Sequence, residues 1–129
     1  MAGEADLSGQ CVLVLEDDYY LASDTARALQ GAGATVLGPC ANEETAANAI
    51  RETAPTGAIL DINLGRGPTF KVARTLRERS IRFVFLTGYD EDVIPLEFEG
   101  VIRLQKPVEL RQVVNTLAKT LHDGADQRG

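Results

Sequence analysis

Cys11-Val12-Leu13-Val14-Leu15-Glu16-Asp17-Asp18 is an apolar run that passes directly into three carboxylates. An apolar stretch of this length without polar alternation suits a strand covered on both faces, as in a parallel sheet. Four further runs follow along the chain: Thr35-Val36-Leu37, Ala58-Ile59-Leu60, Phe83-Val84-Phe85-Leu86 and Val101-Ile102-Arg103-Leu104. The segments between them have helical spacing. Leu21, Thr25, Ala28 and Leu29 share one helix face, and Gly31-Ala32-Gly33 stops that helix. Asn42 is a good N-cap, with Glu43 and Glu44 in the first turn, where the helix dipole favours negative charge. Phe70, Ala73 and Leu76 mark a third helix, with Pro68 near its start and Arg77 and Arg79 in its last turn. Leu110, Val113, Val114, Leu117 and Leu121 form the clearest apolar stripe. Asp90 to Gly100 is interrupted by Pro95, so any helix there is expected to be short or irregular.

Strand and helix therefore alternate five times. Parallel neighbours need right-handed helical crossovers, so the pattern predicts a doubly wound α/β fold, (βα)5. The expected parallel sheet is flavodoxin-like, with strand order 2-1-3-4-5. One domain is expected over 10–121. The polar, small or Gly-rich ends at 1–9 and 122–129 are expected to be flexible tails.

Composition narrows the function. With 13 Lys+Arg against 19 Asp+Glu, the net charge is −6, which argues against binding nucleic acid through phosphate neutralisation. The single histidine, His122, falls in the C-terminal tail, so no Ser-His-Asp triad, Cys-His dyad or histidine-rich zinc site is expected. Cys11 and Cys40 lack CxxC spacing and suit a reduced, cytoplasmic protein. No signal peptide and no membrane span are expected.

The polar residues at the ends of the runs carry the chemistry. The first run ends in Glu16-Asp17-Asp18, the third in Asp61, the fourth in Thr87, and the fifth leads into Gln105-Lys106-Pro107. Open α/β sheets bind ligands outside the carboxyl ends of their strands. In the order 2-1-3-4-5, strands one and three are neighbours, which places Asp17 beside Asp61, with Thr87 and Lys106 on the next two strands. At ~5 Å and an effective dielectric of about 20, each carboxylate pair costs on the order of 3 kcal/mol. Such groups share a proton or hold a cation, and oxygen-only ligands at this density suit Mg2+. Lys106 and the Thr87 hydroxyl add donors for a phosphoryl oxygen. The set describes phosphoryl transfer onto an aspartate.

Over about residues 10–121 the sequence resembles a response regulator receiver domain of two-component signalling. The resemblance implies that Asp61 is the phosphoacceptor, that Glu16, Asp17, Asp61 and the Asn63 carbonyl serve as Mg2+ ligands, that Thr87 is the switch hydroxyl and that Lys106 precedes a cis Pro107. It implies a phosphoprotein in a phosphorelay, its partner a sensor histidine kinase or a histidine phosphotransfer protein, with output through protein–protein contact. The protein would then be a single-domain regulator, and its only catalysis slow self-dephosphorylation. Phe85-Leu86-Thr87-Gly88-Tyr89 is similar to the Phe-Ala-Thr-Gly-Tyr signature of stand-alone alphaproteobacterial receivers. Two positions depart from the family pattern. Arg103 stands where the family usually has Tyr or Phe, and Leu64-Gly65-Arg66-Gly67-Pro68 replaces the usual Met-Pro step. These departures leave open a receiver-fold binding module that works without phosphorylation. A phosphatase of the aspartate-nucleophile type fits less well, because its motif needs a second Asp where Asn63 stands.

Overall fold

A computed structural model describes residues 5–62, 70–88 and 94–128. Its strands are β1 (Cys11–Leu15), β2 (Thr35–Cys40), β3 (Gly57–Asp61), β4 (Arg82–Thr87) and β5 (Arg103–Gln105). The helices are α1 (Tyr19–Gly31), α2 (Glu43–Glu52), α3 (Phe70–Glu78) and α4 (Leu110–Arg128). The strands form one parallel sheet in the order β2-β1-β3-β4-β5, as the sequence predicts.

Alternation along the strands divides the core into two layers. Leu13, Leu15, Ala58, Leu60, Phe83 and Phe85 point to the face packed with Ile50 of α2 and Val72, Ala73 and Leu76 of α3. Val12, Val14, Ile59, Val84 and Leu86 point to the other face, against Leu29 of α1 and Val113 and Leu117 of α4. The central strand β3 is buried along its whole length, which explains its lack of a polar phase.

Three local features add to the sequence expectation. Between β4 and β5, the described residues include a 3-10 turn, Leu96–Phe98, the short, irregular helix expected around Pro95. Pro95 stands directly before it with an extended backbone (φ −61°, ψ 152°) and has no N–H to give a longer helix. Phe98 anchors the turn. It is fully buried and, with Phe70, Phe83 and Phe85, gathers all four phenylalanines of the chain into one cluster. Second, Leu7 is buried against the α1/α4 face, and its N–H donates to the Ala32 carbonyl at 2.8 Å. Chain packing therefore begins before residue 10. Third, α4 continues through Arg128, past the boundary expected at residue 121.

The edge strand β2 carries a register shift opposite β1, where Leu13 pairs with Leu37 but Leu15 pairs with Cys40. Gly38 supplies the bend with φ +96°, and a Cβ there would lie 2.5 Å from the Cys40 nitrogen. The shift brings the Cys40 carbonyl to the Glu16 N–H at 2.9 Å, which fixes the backbone at the end of β1.

Candidate functional site

The carboxyl ends of β1, β3, β4 and β5 converge on one rim. Glu16 and Asp61 are buried there, and Asp17 is exposed. Carboxylate oxygens of these three residues lie within 4.8 Å of one another. Lys106 reaches the rim from the end of β5. Its N–H donates to the Thr87 carbonyl at 2.7 Å, extending the β4/β5 ladder by one residue. Its Nζ stands 2.9 Å from Glu16 Oε1 and 3.1 Å from Asp61 Oδ2. The Lys106–Pro107 peptide bond is cis, as expected.

Asp18 organises the acidic turn. Its backbone N–H donates to Glu16 Oε2 at 3.0 Å, and its own side chain caps α1 by accepting from the Leu21 N–H at 3.1 Å. Sequence reasoning treated Asp18 only as part of a charge run. The signal that could have shown its role is an Asp directly before a helical period.

The electrostatics follow from burial. Desolvation pushes the Glu16 carboxyl up to about 7, against the opposing pull of Lys106 and the Asp18 N–H, and the neighbouring Asp61 adds to the rise. Burial alone would lower Lys106, but Glu16 and Asp61 outweigh it and hold the ammonium above its ordinary range. A single cation thus bridges two buried acids.

Thr87 is buried at the end of β4, and its Oγ1 has no hydrogen-bond partner among the described residues. An unmatched buried hydroxyl costs about 1–3 kcal/mol. Beside the rim, Leu21, Gly88, Lys106, Pro107 and Val108 line an open cavity of about 420 Å³. Arg103, at the position where the resembling family has an aromatic residue, donates from Nη2 to the Glu99 carbonyl at 3.3 Å. Asn63, the loop at 64–68 and Tyr89 lie outside the described residues.

The donor set fits a hard divalent cation. It is made only of oxygens, and opposite ligands of an octahedral Mg2+ lie about 4.2 Å apart, close to the span of the three carboxylates. One acid faces solvent, so the ion could keep waters.

No protein-family model matches the sequence, and no curated protein matches it. Solved structures do match. A response regulator receiver protein from Sinorhizobium medicae WSM419 superposes with a TM-score of 0.77 at 23% identity, over 92% of this chain and 99% of that one. The N-terminal domain of a response regulator/sensory box/GGDEF three-domain protein from Carboxydothermus hydrogenoformans gives 0.78 at 21% identity, covering 93% and 100%. A CheY-like receiver domain protein from Methanospirillum hungatei JF-1 gives 0.74 at 15% identity, covering 90% and 97%. This chain has the receiver-domain fold. At such identities the likeness concerns the fold alone, and the chemistry is argued from the rim. Within the receiver fold, the structure brings Glu16, Asp17, Asp61 and Lys106 into one group, with Thr87 on the adjoining strand end.

Proposed function

We propose that this chain works as a response regulator receiver domain, taking a phosphoryl group from a phosphohistidine onto Asp61 in a Mg2+-dependent step. One observation carries the reading: a single lysine bridges two buried carboxylates beside a third, exposed one, at the rim where an open α/β sheet binds ligands.

An Asp61 carboxylate oxygen attacks phosphorus. The P–N bond to the donor imidazole breaks as the new O–P bond forms, and the electron pair leaves with the imidazole nitrogen. Asp17 would hold Mg2+ directly, Glu16 through a water and Asn63 through its carbonyl. Mg2+ bound there supplies positive charge against the phosphoryl oxygens. Lys106 transfers its pairing from Asp61 to a phosphoryl oxygen, and the Thr87 hydroxyl gains the acceptor it lacks.

The donor histidine must come from a partner, either a sensor histidine kinase or a histidine phosphotransfer protein. His122 is remote from the rim. The neighbouring Leu121 side chain lies 3.0 Å from where a Cβ on Gly57 would stand, at the start of β3. Asp61 ends that strand, about 13 Å further on. Signalling would then pass by protein–protein contact or onward relay, and the only catalysis would be slow loss of the chain's own phosphoryl group. No helix among the described residues is long and apolar enough to cross a membrane. That fits work in the cytoplasm beside a kinase.

Incubation with acetyl phosphate and Mg2+ tests the reading. We expect an adduct of about 80 Da, one phosphoryl group, that does not form when a chelator is present from the start and is absent from Asp61→Asn. An equal adduct on Asp61→Asn would overturn the assignment. The Arg103–Glu99 contact favours a second reading, a binding module of this fold that needs no phosphorylation. A spectrum unchanged by Mg2+ and beryllofluoride would support that one instead.

A further inference from the structure

The short turn between β4 and β5 is held by three arginines. Arg74 of α3 grips the Glu97 carboxylate in bidentate fashion, with Nη2 2.8 Å from Oε2 and Nε 3.2 Å from both oxygens. Arg77, one helical turn along α3, donates to the Glu97 carbonyl, and its guanidinium lies 4.8 Å from the centre of the Phe98 ring. Arg103 of β5 holds the Glu99 carbonyl from the other side. Beneath this clamp, Phe98 stacks on Phe70 at 5.8 Å, with 18° between the rings, and meets Phe85 edge-on at 5.7 Å. On the outer side Leu96 is 84% exposed.

This cluster joins the candidate site to the surface. Phe70 opens the helix that follows Asp61, and Phe85 lies two residues before Thr87 on β4. A close-packed ring cluster does not deform continuously, so a shift of the β4 end must either move Phe98 or be resisted by what holds it. The clamp is closed in an arrangement where Lys106 pairs with Asp61 Oδ2 and Thr87 Oγ1 has no hydrogen-bond partner among the described residues. That is the arrangement Asp61 leaves when it takes a phosphoryl group.

We infer that the Arg74/Arg77 clamp on Glu97 and Phe98 is a latch that favours the unphosphorylated arrangement, and that its release moves the Leu96 face. The inference rests on the function proposed above and adds its regulation. It also gives this chain a route from pocket to surface that does not need an aromatic residue at position 103. Linkage is reciprocal, so weakening the latch must strengthen binding of a phosphoryl mimic at Asp61.

The test uses the whole chain with Mg2+ and beryllofluoride, followed by NMR. In the wild type, the Thr87 and Leu96 methyl signals should both shift. Arg74→Gln and Glu97→Gln should each bind the mimic about two- to fivefold more tightly, the range open to an exposed ion pair. The double variant should gain no more than either single one. Shifted Thr87 signals with an unmoved Leu96, or unchanged affinity in both variants, would overturn the latch and leave the phosphoacceptor reading standing. Unmoved Thr87 signals would overturn both.

Discussion

Glu16 shows how burial raises the proton affinity of one carboxylate. Its ordinary value is 4.5, and in the folded chain it is pushed up to about 7, chiefly by desolvation. An acid that holds its proton more tightly when folded contributes stability that is complete below about 4.5 and is lost as pH rises through about 7. A cation binding there must first displace that proton. Mg2+ affinity should therefore strengthen as pH climbs from 6 toward 7 and level off near 8. Calorimetry in two buffers of different ionisation enthalpy should find close to one proton released at pH 6 and almost none at pH 8. Glu16→Gln should abolish the release. The residue types were legible from their place at the ends of apolar runs, because topology alone brings those ends together. The proton affinity was not legible. It depends first on how deeply the carboxyl is buried, and then on the opposing pull of Lys106 and the Asp18 N–H, whose distances to the Glu16 carboxylate no spacing in the sequence encodes.

At the scale of elements, the turn Leu96–Phe98 packs the described part of the β4–β5 connection onto the core with three residues. Its anchor in the core is one buried ring rather than an amphipathic face. Phe98→Ala should therefore cost about 3–5 kcal/mol, as for other large aromatic truncations in a close-packed core. Chemical denaturation would show this, and a loss below 1 kcal/mol would mean that the cluster collapses to fill the space. Pro95 made the irregularity readable in advance, since proline removes a donor and restricts its predecessor. Phe98 was harder to see as an anchor, because a lone apolar residue between charged neighbours has no periodicity. The same limit applies at both ends of the chain. Leu7 is a single apolar residue in a polar stretch, yet it is buried. The last turns of α4 continue beyond Leu121, where the apolar stripe that marks the helix in the sequence has ended.

Across the whole molecule, the receiver fold concentrates repulsion at one rim. Alternating layers of Val, Leu, Ile and Phe hold the sheet rigid, and its strand ends gather three acids against one lysine. Because the core is large, the chain can carry this unfavourable charge and still fold. That rim should therefore be a place where ligand binding and stability rise together. At a Mg2+ concentration ten times the dissociation constant, linkage gives about 1.4 kcal/mol of added stability. Asp61→Asn removes one buried negative charge while leaving the Glu16–Lys106 pair in place. Without divalent ions at pH 8 it should unfold at a higher temperature than the wild type, by about 1 kcal/mol in free energy, since each close carboxylate pair costs on the order of 3 kcal/mol before Lys106 offsets it. With Mg2+ the order should narrow or reverse, because the wild type gains a ligand that the variant has lost. Thermal unfolding of both proteins with and without Mg2+ distinguishes the outcomes. A variant less stable than the wild type in both conditions would mean that Asp61 serves the fold through its contact with Lys106 rather than being held at a cost for chemistry.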